Sequence, residues 1–421
     1  MLDLKYVLKN HDLVREKLQS RGFDLSIFDK YYELASQRGT LMSQAQNKKA
    51  ELTQLSKKFG QLKNDPQALQ ELKSQIEIIK KEESSLNEQA NELNEQIYAL
   101  GNTIPNLPLD EVPYGKDEDE NVVLKEKPNL GRGLVKGVIP HYEIAKKLNI
   151  LDIERAVKLS GSRFVIYKGL GAKLTRALIS FMLDLHATKG YQEFTTPILV
   201  KSNILYGTGQ LPKFEEDLFK LTTDDFYLIP TAEVTLTNYY NNELIDLSIP
   251  YRATAYTECF RSEAGSSGKD TKGILRQHQF KKVELVKVTT QEDALKEYNL
   301  MLDDAKDVLE KLEIPYRELL LCTGDMGFGS RKTIDLELWL PSEERYREVS
   351  SISYMGDFQA RRAMIRYKDE QGKSQYAHTM NGSGLAIDRV VAALLEIYQN
   401  EDGSISIPKV LIPYMGCEII K

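Results

Sequence analysis

Two polar runs near the middle of the chain carry residue types suited to handling a nucleotide. The first is Tyr256-Thr257-Glu258-Cys259-Phe260-Arg261-Ser262-Glu263 and the second Arg276-Gln277-His278-Gln279-Phe280-Lys281-Lys282-Val283-Glu284. In an extended strand alternate side chains share a face, so Arg261 and Glu263 point the same way, as do Arg276, His278, Phe280, Lys282 and Glu284. One face then collects cations, carboxylates and an aromatic ring. A solvent-facing strand is polar too, but it does not place Phe280 among its charges. The chemistry suggested is a nucleotide site: arginines that fork onto phosphate oxygens, a ring on which a base stacks, and carboxylates that take amine donors or a metal. Glu284 taken alone reads as a surface carboxylate paired with Lys282.

The common nucleotide-holding devices are missing: no strand leads into a GxGxxG run, and there is no phosphate loop ending in Gly-Lys-Ser/Thr. Cys259, Cys322 and Cys417 are odd in number and widely spaced, which argues against a disulfide framework or a zinc site; reduced thiols in the core are expected. His11, His141, His186 and His378 show no ligand spacing and are expected to be structural or exposed. The net charge of -6, from 56 basic and 62 acidic residues, leaves any polyanion to be met by local basic patches. No apolar run approaches the roughly 20 residues that span a bilayer, and the start MLDLKYVLKN lacks signal-peptide features, so a cytoplasmic protein is expected.

Periodicity marks out the elements of the chain, beginning with its N-terminal part. Leu41, Ala45, Lys48, Leu52, Leu55, Phe59 and Leu62, then Leu69, Leu72, Ile76, Ile79, Glu83, Leu86, Ala90, Leu93, Ile97 and Leu100, alternate steps of four and three, which is a heptad seam. Between the two series Lys63-Asn64-Asp65-Pro66 supplies a turn, a cap at Asp65 and a proline suited to a first helical turn. An antiparallel coiled-coil hairpin results, about 35 residues per helix and roughly 50 Å long. Its outer faces interleave lysines such as Lys57, Lys58, Lys80 and Lys81 with Glu51, Glu71 and Glu77, which on charge alone reads as a solvated surface.

The prolines and glycine after Leu100 stop the helix, and the acidic run 117 to 120 marks a linker. Beyond it, helices are expected at about 172 to 189, 291 to 312 and 384 to 399. Strands are expected after Pro197 and near 226 to 234, 252 to 263, 276 to 288, 315 to 321, 333 to 340 and 346 to 351. Hairpin-length loops point to an α+β fold, a large antiparallel sheet with helices packed on it. The expected division is an N-terminal helical domain over 1–108 with its arm at about 28–100, a linker over 109–130, and a sheet domain over 131–421.

The hairpin from Phe260-Arg261-Ser262-Glu263 to Arg276-x-x-x-Phe280 resembles motif 2 of the class II aminoacyl-tRNA synthetases. Gly190-Tyr191-Gln192-Glu193-Phe194-Thr195-Thr196-Pro197 resembles their motif 1, and Asn381-Gly382-Ser383-Gly384-Leu385-Ala386-Ile387-Asp388-Arg389 their motif 3. Within that class the chain resembles the bacterial seryl-tRNA synthetases over nearly its whole length. The helical hairpin, its Asn102-x-Ile104-Pro105-Asn106 exit, the run 207 to 214, Thr231-Ala232-Glu233 and the run 357 to 362 carry that likeness.

The resemblance implies a site. Arg261 would grip the α-phosphate of ATP and the serine carboxylate, Glu263 would meet the adenine amino group, and Phe280 would stack on adenine. Arg389 would cover the ring's other face and reach the γ-phosphate, and Arg276 would contact the triphosphate. Glu348 and Ser351, in the run Arg347-Glu348-Val349-Ser350-Ser351 whose Val349 and Ser350 also border ATP, would hold Mg2+; no zinc is expected. Thr231 and Glu233 would hold the serine amino group. Glu284, Asn381 and Ser383 would surround the side-chain pocket, with Glu284 accepting from the serine hydroxyl. Two positions depart from the family pattern: Tyr354 stands where asparagine is usual, and Thr235 where many members carry proline.

The activity implied is ATP-dependent ligation of L-serine to tRNA(Ser), and to the selenocysteine tRNA where it exists, through seryl-adenylate. The arm would lie against the tRNA's long variable arm and elbow, motif 1 would build a homodimer, and the loop with Gly265, Ser266, Ser267, Gly268, Lys269 and Lys272 would meet the acceptor end as a mobile contact. Two other readings stay open: a class II-like ligase acting on a carrier protein, against which the long hairpin counts, and a non-catalytic RNA-binding paralogue, against which the intact charged residues count.

Overall fold

The computed structural model describes residues 1–59, 66–264, 268 and 272–421. The chain divides into two compact units, Met1–Pro105 and Asn106–Lys421. Among the described residues no helix is long and apolar enough to cross a membrane.

In the first unit α1 (Leu4–Lys9) and α2 (His11–Ser20) pack on the base of α3 (Leu25–Phe59), which runs against α4 (Pro66–Gly101). The Asp3 carboxylate caps α1 by accepting the amides of Lys5 and Tyr6 at 2.8 and 3.3 Å. The heptad reading holds residue by residue: every seam position from Leu41 to Leu55 and from Leu69 to Leu100 is buried or half-buried, with Ala45, Leu72, Ile79, Ala90 and Ile97 the most enclosed. Lys48 occupies a seam position because its Nζ crosses to Glu82 Oε2 at 2.7 Å. Pro66 opens α4 as expected, whereas Leu62 and the turn residues Lys63, Asn64 and Asp65 lie outside the described residues.

The second unit is built on eight strands: β1 (Val122–Lys127), β2 (Gln192–Glu193), β3 (Tyr251–Phe260), β4 (Gln279–Thr289), β5 (Tyr316–Leu320), β6 (Lys332–Leu340), β7 (Arg345–Gly356) and β8 (His378–Ala386). They lie in the order β1-β5-β6-β7-β8-β4-β3-β2, antiparallel except for the β2–β3 pair. The helices that matter for the site are α5 (His141–Lys147), α6 (Leu170–Thr188), α7 (Glu233–Thr237), α8 (Ala294–Lys311), α9 (Phe358–Ala363) and α10 (Ile387–Ile397). Leu178 and Met182 of α6, Met301 and Val308 of α8 and Val391 and Leu394 of α10 bury against Val283 and Leu285 of β4 and Leu336 of β6. Because side chains alternate along β4, burying Val283 and Leu285 beneath helices turns Phe280, Lys282 and Glu284 to the opposite face.

Several expectations need correction. The strand expected at 226 to 234 ends at Leu228, and Glu233 instead opens α7. The strands expected at 252 to 263 and 276 to 288 are trimmed to Phe260 and from Gln279, while the one expected at 346 to 351 runs on to Gly356. The expected helix at 384 starts only at Ile387, because the preceding residues form β8, a central strand. The stretch expected as a linker contains β1, which pairs with β5 as the sheet's edge. Cys259 and Cys322 are buried free thiols, but Cys417 is only half-buried.

Candidate active site

The hairpin β3–β4 sets the first part of the site through its register, which puts Cys259 opposite Phe280 and Ala255 opposite Glu284. After Phe260 the chain leaves the sheet: the Arg261 amide donates to His278 O at 2.9 Å, and Glu263 takes a left-handed φ of 55°. Strand alternation therefore places Phe280, Lys282 and Glu284 together but does not extend back to Arg276 and His278. His278 packs between Phe164 and Phe219, with its Nδ1 bonded to Arg261 O at 3.0 Å. Arg276 reaches the cleft from the turn before β4, where its Nη1 donates to Glu263 Oε2 at 2.8 Å. The Arg261 guanidinium lies 5.1 Å from the centre of the Phe280 ring, a cation–π contact that covers the ring face on which a base is expected.

Three adjoining cavities share Arg276. One of about 490 Å³ is lined by Thr231, Glu233, Arg261 and Glu263; one of about 180 Å³ by Phe280, Lys282, Ser383 and Arg389; and one of about 610 Å³ by Asp335, Glu348, Ser351 and Arg389. In the first, Thr231 Oγ1 accepts the Glu233 amide at 3.1 Å, and Glu233 Oε1 accepts from Gln359 Nε2 at 2.7 Å and Asn381 Nδ2 at 2.8 Å. Burial, and then the neighbouring Glu284 charge, push the Glu233 carboxyl up to about 7. Glu284 is 2% exposed, with its Oε2 2.6 Å from Lys282 Nζ. The pairing suggested by sequence is present, but it is buried rather than on the surface. Asn381 and Ser383 are buried on β8, where Ser383 stands opposite Glu284.

Motif 3 and the β6–β7 pair supply the remaining charge. Arg389, in the first turn of α10, donates from Nη1 to Glu348 O at 2.5 Å and from Nε to Leu275 O at 3.3 Å. Its neighbour Asp388 accepts from the Lys281 amide at 2.7 Å and from the Tyr167 hydroxyl, tying α10 to β4. A β-bulge shifts the register between Leu336 and Glu337, so that Asp335 faces Ser351 while Glu337 faces Glu348 and Val349 is the extra residue. Ser350 turns away, donating to Ser383 O at 2.6 Å. Asp335 Oδ1 is buried without a hydrogen-bond partner, and burial with the nearby Glu348 charge raises this carboxyl well above the ordinary aspartate range. Carboxylate and hydroxyl oxygens at Asp335, Glu348 and Ser351 form a hard donor set that suits Mg2+.

Gln359 and Asp335 were missed as site residues by the reading of the sequence. Gln359 lies in the run 357 to 362 noted for its family likeness, but nothing in its spacing pointed to Glu233; Asp335 reads as one more alternating residue of β6. The other histidines are structural where buried. His186 Nε2 bonds Gly384 O at 2.8 Å and His378 Nδ1 bonds the Tyr354 hydroxyl at 2.7 Å; burial pulls both imidazoles down to about 4. Tyr354 thus fills its unusual position by packing on His378 and Tyr298, and Thr235 does so by bonding Thr196 at 2.8 Å. Gly265, Ser266, Ser267 and Lys269 of the loop expected to meet the acceptor end lie outside the described residues.

An antiparallel sheet carrying these three charged motifs in this order defines a class II aminoacyl-tRNA synthetase core, and residues 214–398 match the tRNA synthetase class II core domain (G, H, P, S and T). Residues 1–108 match the seryl-tRNA synthetase N-terminal domain, and the chain belongs to the seryl-tRNA synthetase family. It is 60% identical over 420 residues to a serine–tRNA ligase of Mycoplasmopsis agalactiae and 49% identical over 425 residues to that of Caldicellulosiruptor saccharolyticus, each covering 100% of both chains. Among solved structures it is similar to the seryl-tRNA synthetase of Pyrococcus horikoshii complexed with ATP. That match has a TM-score of 0.94 at 33% identity and covers 100% of this chain and 99% of the other. The cytoplasmic serine–tRNA ligase of Naegleria fowleri in complex with AMP matches with a TM-score of 0.89 at 27% identity, with the same coverage.

Proposed function

We propose that the protein ligates L-serine to tRNA(Ser) in two steps. A serine carboxylate oxygen attacks the α-phosphorus of ATP, the bond to the β-phosphate breaks, and seryl-adenylate and pyrophosphate form. The terminal ribose hydroxyl of tRNA then attacks the acyl carbon and AMP leaves. The observation that carries this reading is the convergence of Arg261, Arg276 and Arg389 beside the buried carboxylates Glu233 and Glu284. No side chain acts as a nucleophile; the residues bind, orient and neutralise charge.

The lining of the cavities supports the following roles. Arg261 bridges the first two cavities, where it can meet both the α-phosphate and the serine carboxylate, and it leaves the Phe280 face when adenine stacks there. Glu263 takes the adenine amino group, Arg276 the triphosphate, and Arg389 the γ-phosphate side, beside Val349, which lines the same cavity. Glu233, steered by Gln359 and Asn381, and Thr231 receive the serine ammonium. Glu284 accepts from the serine hydroxyl, with Asn381 and Ser383 closing the pocket. A site with a buried acceptor rejects alanine strongly, because the acceptor is left unpaired, whereas threonine must be excluded by its extra methyl.

Glu348 and Ser351, with Asp335 beside them, would hold Mg2+, which would supply charge neutralisation for the phosphates. The helical hairpin is the tRNA-binding arm, and selenocysteine tRNA, where present, is a second acceptor. We read the working enzyme as a cytoplasmic homodimer. The test is serylation of tRNA(Ser) by the full chain and by a form lacking residues 30 to 98. Adenylate formation should survive the deletion and charging should collapse; equal charging by both would overturn the role of the arm.

A further inference from the structure

His141 and Glu396 form a buried polar junction that the roles above leave unused. Glu396, on the inner face of α10, is 0% exposed and collects four donors. Oε1 accepts the His141 amide at 2.9 Å, His141 Nδ1 at 2.7 Å and the Ser342 hydroxyl at 2.8 Å, and Oε2 accepts the Ser342 amide at 2.8 Å. On the far side of the imidazole, the Ile274 amide points at His141 Nε2 at 3.3 Å. A backbone N–H can only donate, so Nε2 carries no proton in this arrangement, and the ring proton sits on Nδ1 facing Glu396.

The ring comes this close because residue 273 is a glycine. Gly273 has a φ of +75°, and a Cβ there would lie 2.1 Å from His141 Nε2. Immediately after Gly273 the chain forms the turn that feeds the nucleotide site. Ile274 O accepts from Gln277 Nε2 at 3.0 Å, Leu275 O accepts from Arg389 Nε at 3.3 Å, and Arg276 donates to Glu263 at 2.8 Å. Arg389 and Glu396 stand two turns apart on the same helix, α10. The imidazole therefore joins α5, α10 and the 273–277 turn at one point, and two proposed phosphate-binding arginines hang from that frame.

We propose that His141, held by Glu396, is a positioning residue that fixes the 273–277 turn and through it sets Arg276 and Arg389 for ATP. This rests on the reading of those arginines as ATP ligands. Two substitutions separate the two halves of the imidazole. In His141→Asn the amide nitrogen replaces Nδ1 and keeps Glu396 satisfied, but nothing accepts the Ile274 amide. In His141→Gln the amide oxygen reaches the position of Nε2 and restores that acceptor.

The measurement is ATP–pyrophosphate exchange with the full chain, read separately for ATP and serine, together with hydrogen exchange of a peptide containing Ile274. For His141→Asn we expect kcat/KM for ATP to fall about 10- to 100-fold while KM for serine stays within about twofold, with faster exchange at Ile274. His141→Gln should recover most of both losses. Gly273→Ala, which drives a methyl into the ring from the other side, should copy His141→Asn and serves if that variant folds poorly. Wild-type ATP kinetics in His141→Asn, equal losses for both substrates, or unchanged protection at Ile274 would overturn the proposal. Absence of exchange in the wild-type enzyme would instead sink the reading of the site, while protection at Ile274 would still report the anchor.

Discussion

Glu233 is enclosed by protein, and both of its donors, Gln359 and Asn381, land on the same oxygen. Glutamine at this position can keep both bonds on its own carbonyl oxygen, so Glu233→Gln removes the charge and little else. A glutamate whose carboxyl rises from 4.5 to about 7 on folding costs roughly 3 kcal/mol of stability once ionised. The sign follows from proton counts: between pH 4.5 and 7 the unfolded chain has released a proton that the folded chain retains, so stability falls as pH rises through that window. The expected outcome is that Glu233→Gln matches the wild type near pH 4.5 and exceeds it by roughly 3 kcal/mol above pH 7. Urea unfolding midpoints across that range measure the difference. Function should move the other way: without the charge for the serine ammonium, kcat/KM for serine drops about 100-fold, and in the wild type it falls about tenfold per pH unit below 7. A stability difference independent of pH would refute the reasoning, because Glu233 would then not be a carboxyl held neutral by its surroundings.

Glu284→Ala strands the Lys282 ammonium, whose side chain is 9% exposed, and should cost about 3–5 kcal/mol by denaturant unfolding. Adding Lys282→Met should recover much of that stability without restoring serine activation, which separates the pair's structural role from Glu284's proposed role in the pocket. Gly384→Ala places a methyl 2.6 Å from His186 Nε2 and 3.0 Å from Leu285 Cγ, and should lower stability by about 1–3 kcal/mol in the same assay.

Periodicity made the helical arm legible almost completely, because a coiled-coil seam is a local pattern that its own partner helix satisfies. The strand β8 was illegible for the opposite reason. Asn381-Gly382-Ser383-Gly384 carries no β-branched or aromatic residue to mark a strand, and its glycines serve close packing: a Cβ on Gly382 would meet Ile352 Cγ1 at 2.9 Å, and one on Gly384 would meet His186. Such contacts are set by neighbours far along the chain. The same limit explains the site. Phe280, Lys282 and Glu284 were placed correctly by strand alternation, but Arg276 and Glu263 sit in turns, where alternation does not apply, and they meet through an ion pair. The link from Gln359 to Glu233 joins two helices more than a hundred residues apart and leaves no mark in spacing.

Activation of serine at the expense of ATP is the reaction assigned to this cleft. Its most direct test is pyrophosphate exchange into ATP with serine, threonine, alanine and glycine in turn, with Arg261→Ala and Glu284→Ala alongside. Exchange driven by serine far above the other three, and lost in both variants, is the predicted result. No exchange with any amino acid, or exchange that survives loss of Arg261, would contradict it.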